Sequence, residues 1–151
     1  MKNNVALFYT CSLIEYIGRK QKLRRGDVVA ALGCDMIKRI YDYSDVFHCD
    51  LIEKVADEFI ELCNIPEGTY DNVAKCQYEV PDYWTIGEVY ERLIEDASPG
   101  LTEADSDAIV DNLILVYASW ISDAISNYNS DFFYQPRDYI RVCYEEGEVC
   151  P

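Results

Sequence analysis

The stretch LIEKVADEFIELC, residues 51–63, sets Leu51, Ile52, Val55, Ala56, Phe59, Ile60 and Cys63 at three- and four-residue intervals. A helix with about 3.6 residues per turn gathers those side chains on one face, whereas a strand would divide them between two. Asp50 with Glu53 forms an Asp-x-x-Glu capping box at its start. A stripe this broad must be buried against other elements, and the same period recurs along most of the chain.

Leu7, Cys11, Ile14 and Ile17 mark a first helix from about residue 4 to 18. Asp27 then caps a short helix through VVAALG that Gly33 ends, and Met36, Ile37, Ile40 and Tyr41 belong to a third. After the helix at 51–63, residues 64–84 break the pattern with two prolines and a glycine. A loop of that length is usually an ordered crossover or a functional segment, and AKCQYEV inside it alternates enough for a short hairpin. Thr85 and Glu88 make a second capping box, followed by a stripe of Val89, Tyr90, Leu93, Ile94 and Ala97. An acidic turn leads into one long helix whose period holds from Ile109 to Tyr128, over about five turns. Pro136 opens a last helix with Tyr139, Ile140 and Cys143, and the tail YEEGEVCP is expected to fray. The fold expected is mainly α: a compact bundle of about six or seven helices with one long central loop at 64–84.

Length sets one domain of 151 residues, with a charge-neutral helical half (1–63) and an acidic helical half (85–146) sharing one core. Residues 1–60 carry nine basic and nine acidic side chains, and residues 61–151 carry four basic against 19 acidic, so the whole net charge of −15 lies in the second part. Such a surface repels phosphate backbones and steers toward basic partners, although acidity also serves solubility. Seven cysteines, an odd number, with no export signal point to a reducing cytosol, and no run reaches the length of a membrane span. No C-x-x-C occurs, and the spacing argues against a structural zinc; no cofactor is expected.

Chemistry concentrates in YDYSDVFHCD, which holds the only histidine, His48. Cys49 diverges from it by about 100° on a helix, so the available acid–base pair is His48 with Asp45, three residues away. The plainer reading makes His48 a helix junction. There is no nucleophile elbow, phosphate loop or H-E-x-x-H. RKQKLRR places Arg19, Lys20, Lys22, Arg24 and Arg25 together as a basic connector. A single cluster in so acidic a chain suits a contact with carboxylates, within the chain or on a partner, better than duplex DNA. Tyr78, Tyr83 and Trp84, the aromatic run 131–136, and the carboxylates Glu103, Asp105 and Asp107 are the candidates for a partner surface, though aromatic residues like these as often form core under a loop.

The order of CSLIEYIGRK, GDVVAALG, IKRIYDYSDVFH and VADEFI over residues 5–60 resembles a family of small bacterial proteins of unknown function. Members carry a Cys/Ile-Glu-Tyr first helix, a short valine-rich helix, a Tyr-Asp segment ending in His, and an acidic-aromatic close. They are often encoded beside ADP-ribosyltransferase-like toxins, and the resemblance implies an antitoxin or regulatory partner. Glu15, Tyr16, Tyr41, Asp42, His48 and Phe59 fall on family positions, while some 90 further residues, holding all the net negative charge, lie outside it. The expectation is therefore a non-enzymatic cytoplasmic interaction module that binds a basic protein through its second half. An enzyme using His48 and Asp45 is the alternative, and a DNA-mimicking inhibitor the second.

Overall fold

The computed structural model describes all 151 residues as eight α-helices and one 3-10 turn, with no strand. α1 (Val5–Gln21) lies at the centre. Ten of its residues are buried, from Leu7 to Gly18 and on every side of the helix, so its short-period stripe is only part of what it hides. Asn4 caps it, accepting a hydrogen bond from the Leu7 N–H at 3.1 Å, and Lys22 closes it in the left-handed conformation. α2 (Arg25–Asp42) follows after three residues and runs on through the expected stop. Gly33 instead bends it, at φ 79° and ψ 163°, a conformation open in practice to glycine alone. Asp27 lies in the first turn of α2 rather than at its cap.

α3 (Ser44–Phe47) is one turn, and α4 (Ile52–Leu62) carries the stripe at 51–63. Leu51, not Asp50, is the N-cap of α4 and is 72 % exposed; Asp50 pairs with Lys54 at 3.6 Å. The Asp-x-x-Glu reading fails because the extended backbone sits one residue later. Residues 63–82 form no hairpin. Their backbone groups are instead satisfied individually: Gly68 and Tyr70 N–H donate to Gln21 O and Lys22 O at 2.7 and 2.9 Å, and Gln77 N–H donates to Asn129 Oδ1 at 2.7 Å.

α5 (Tyr83–Asp96) starts two residues before Thr85, because the Asp82 carboxylate accepts from the Trp84 N–H at 2.7 Å. The long helix expected at 109–128 is two helices, α6 (Ser106–Ala118) and α7 (Trp120–Ser126), bent by 70°. Ser119 breaks it: its backbone is extended, and its hydroxyl accepts from Ile121 N–H and donates to Val116 O. This bent pair is apolar and buries one face, from Ile109 to Ser126, and no single helix is long and apolar enough to cross a membrane. A 3-10 turn (Phe132–Tyr134) leads to α8 (Arg137–Glu146), with Pro136 at its N-cap. The tail is held, since Tyr139 Oη donates to Cys150 O at 2.5 Å and Cys150 N–H reaches Cys143 Sγ at 3.3 Å. One cluster of 32 buried apolar residues extends through both halves of the chain, with α1 packed chiefly on α5 and α2.

Candidate functional site

The acid–base pair does not form. Asp45 Oδ1 accepts from its neighbour's backbone, Val46 N–H, at 3.0 Å, while His48 N–H closes α3 on Ser44 O at 2.8 Å. The exposed imidazole lies 5.1 Å from the Tyr9 ring and stacks on Trp84 at 6.0 Å. Trp84 also meets Phe8 and Tyr83, and Tyr83 sits edge-on to Tyr16. His48 thus joins an aromatic cluster, with no nucleophile and no orienting carboxylate bonded to its ring.

The basic connector divides between interior and surface, with Arg19 and Arg25 turned inward and Lys20, Lys22 and Arg24 at the surface. Arg25 is 1 % exposed, and its Nε and Nη2 donate to the two oxygens of buried Glu15 at 2.9 and 3.0 Å. Arg19 donates from Nε to the same carboxylate at 2.7 Å and from Nη2 to Pro81 O at 2.6 Å. The other three pair outward: Lys20 with Asp57, Arg24 with Asp123 at 3.1 Å, and Lys22 with Glu67 at 3.9 Å. Arg24 alone of these three reaches the acidic half. A lone carboxylate on an apolar helix attracts the cations beside it, because a buried charge left unpaired is strongly destabilising.

Two residues that sequence reasoning passed over complete the Glu15 site. Tyr128 donates its hydroxyl to Glu15, and Asn72 bridges Arg25 Nη2 at 2.9 Å to Ser126 O at 2.8 Å. Burial raises the Glu15 carboxyl, but the guanidiniums of Arg25 and Arg19 outweigh it and hold the group below its usual range. Burial and the Glu15 charge push Tyr128 up to about 12. Every oxygen of Glu15 is engaged, so the network clamps loop 63–82 and the 128 region onto α1 and has no free group for catalysis.

The ring of Tyr128 serves a second surface. With Tyr78, Glu79, Asp131, Phe133 and Tyr134 it lines a depression of about 490 Å³. Tyr78 and Tyr134 are 69 % and 79 % exposed, and neither Glu79 nor Asp131 has an ion-pair partner. No lysine or arginine lines it. Glu103, Asp105 and Asp107 lie elsewhere, at the start of α6. Asp105 caps Thr102 N–H at 2.7 Å, Asp107 pairs with Lys38 at 2.5 Å, and Glu103 O accepts from Tyr41 Oη at 2.7 Å. They are not gathered with Tyr83 and Trp84 into one surface. Their signal, negative charge, was the common one; the distinguishing signal of the groove is tyrosine flanked by turn residues at 78 and 134. Compared with protein-family models, curated proteins and solved structures, the chain matches none.

Proposed function

We propose that this chain is a non-enzymatic protein-interaction module that takes a basic segment of a partner protein into the Tyr78–Tyr134 groove. The observation that carries this reading is a pair of largely exposed tyrosines over a depression whose two carboxylates are unpaired. Exposed aromatic rings attract cations through their faces, and unpaired carboxylates add charge-assisted hydrogen bonds. The acidity of residues 61–151 speeds the encounter. The family resemblance over residues 5–60 adds a candidate for the partner, a toxin encoded nearby.

A fluorescent Lys/Arg-rich peptide, titrated at low and physiological salt, tests the reading. Binding is expected to weaken with salt and to fall roughly tenfold or more in Tyr78→Ala/Tyr134→Ala and in Glu79→Gln/Asp131→Asn, as for loss of hot-spot anchors. Asp107→Asn, away from the groove, is expected to leave it unchanged. Equal binding by all variants would reduce the interaction to diffuse charge and overturn the groove.

A further inference from the structure

The turn after α8 brings the chain back onto the helix it has just left. Gly147 ends α8 in the left-handed conformation, at φ 81°, and its N–H donates to Cys143 O at 2.9 Å. The reversed tail is then held at Cys150, whose carbonyl accepts from Tyr139 Oη at 2.5 Å and whose N–H donates to Cys143 Sγ at 3.3 Å. The Cys150 thiol also shares a hydrogen bond with the Cys143 thiol. The two cysteines are therefore in contact through backbone and side chain, and both are free. A disulfide joins Cα atoms about 4.4–6.8 Å apart. With Cys150 N 3.3 Å from the Cys143 sulfur, its Cα, one bond of about 1.46 Å further on, lies within about 4.8 Å of that sulfur. The Cβ and Sγ of Cys150 span such a gap, so side-chain rotation suffices to join the two sulfurs. Access is unequal. Cys143 is 0 % exposed and Cys150 is partly exposed, so a reagent in solvent meets Cys150 first.

We propose that Cys143 and Cys150 form a redox site that exchanges with small disulfides of the glutathione class and closes the tail covalently onto α8. The Cys150 thiolate attacks one sulfur of glutathione disulfide. That S–S bond breaks, and one glutathione leaves as a thiolate that takes up the proton Cys150 lost. Cys143, deprotonated in turn, attacks the Cys150 sulfur of the mixed disulfide and expels the second glutathione. Two protein thiols are oxidised to one disulfide, and one glutathione disulfide is reduced to two glutathiones. The hydrogen bond to Cys143, desolvation and the charges of Glu146 and Glu148 raise the Cys150 thiol above its ordinary range, so the first attack is slow near neutral pH. The site follows the redox state of a thiol pool and is not a reactive catalytic cysteine. Neither cysteine lines the Tyr78–Tyr134 groove, so the two proposals stand or fall separately.

Equilibrating the native chain in glutathione buffers of graded disulfide content tests the site, with thiols trapped by acid and N-ethylmaleimide before tryptic mass spectrometry. Cleavage after Arg141 gives the peptide Val142–Pro151, which holds both cysteines and no other. This peptide is expected two hydrogens lighter, free of both maleimide and glutathione. Exposed Cys34, which takes up glutathione as a mixed disulfide, is the internal reference. At about 1 mM glutathione, half-closure of the pair is expected at a glutathione disulfide level roughly tenfold or more below that which half-modifies Cys34, because the second thiol is already in place. Cys143→Ser should retain one glutathione on Cys150, and Cys150→Ser should leave the buried Cys143 thiol unmodified, the order that exposure dictates. Should Cys143→Ser misfold, the native chain and Cys150→Ser, altered only in the tail, still decide the matter. Two glutathiones on the peptide, thiols of the pair intact where Cys34 is half-modified, or a disulfide from either cysteine to a different one would overturn the proposal.

Discussion

Two buried carboxyls show how neighbours decide the state of a single residue. Glu15 is held below the usual carboxylate range by Arg25 and Arg19, so it contributes stability above about pH 4.5 that is lost as pH falls through its folded value. Glu91 of α5 is raised by burial and the proximity of Glu95 from 4.5 to about 8, so the folded chain binds the extra proton between those values. Its contribution is present in full below about 4.5 and is lost as pH rises through about 8. Urea midpoints across that range should therefore decline toward alkaline pH in the native chain, and Glu91→Gln should flatten the decline. Glu15→Gln leaves buried Arg25 uncompensated and is expected to cost about 3–5 kcal/mol. Tyr128→Phe removes one hydroxyl bonded to a charge, about 1.5–3 kcal/mol, and keeps the ring that lines the groove. Urea unfolding of both variants checks the order. Glu15 was visible in the sequence as a carboxylate within an apolar helix. Tyr128 was not, because it arrives from 113 residues away by a chain path that no local pattern encodes.

At the scale of elements, period identified nearly all the helical segments, because the side chains that bury a face must recur with the turn. Their ends were harder. Both expected capping boxes, at Asp50 and Thr85, gave way to neighbours, and the break at Ser119 lay inside an uninterrupted apolar stripe. Caps depend on where the backbone leaves helical geometry, and several polar residues near a terminus can serve. Gly87 expresses a constraint of the opposite kind, where packing demands a residue that the helix itself does not favour. A methyl group there would overlap the Ser12 hydroxyl and lie 2.9 Å from the Ser12 backbone, so α5 crosses α1 with no room for a side chain at this point. Gly87→Ala is expected to destabilise by about 1–3 kcal/mol through overpacking. Ser12→Ala should restore part of that loss, since it removes the hydroxyl and leaves only the tight approach to the α1 backbone. A double-mutant cycle by urea unfolding measures the coupling, and additive losses would mean that the two helices do not touch there.

For the whole molecule, the charge imbalance between the halves was legible, and so was a contact of the basic cluster with carboxylates, but not which carboxylates of the chain would take it. Ten of the 13 cations are engaged in ion pairs, among them every member of the 19–25 cluster, because a chain with 28 acidic side chains offers each cation several carboxylates. The surplus is unpaired carboxylate. The accessible surface, 7912 Å², is close to the roughly 7,900 Å² of a folded monomer of this mass, so that surplus is confined to a small surface and repels itself. Raising sodium chloride from about 0.01 to 0.15 M shortens the screening length from about 30 to 8 Å, which weakens this repulsion more than it weakens the buried Glu15–Arg25 pair. The urea midpoint should therefore rise with salt over that range, where a protein held mainly by exposed ion pairs would lose stability. Chloride is the suitable anion, since sulfate stabilises by exclusion whatever the charge. The rise should persist in Glu15→Gln from its lower starting point, because the repulsion lies on the surface and the lost pair does not. A fall in the midpoint would instead assign the exposed pairs, such as Lys38–Asp107 and Arg92–Glu88, the larger share of the electrostatic stability.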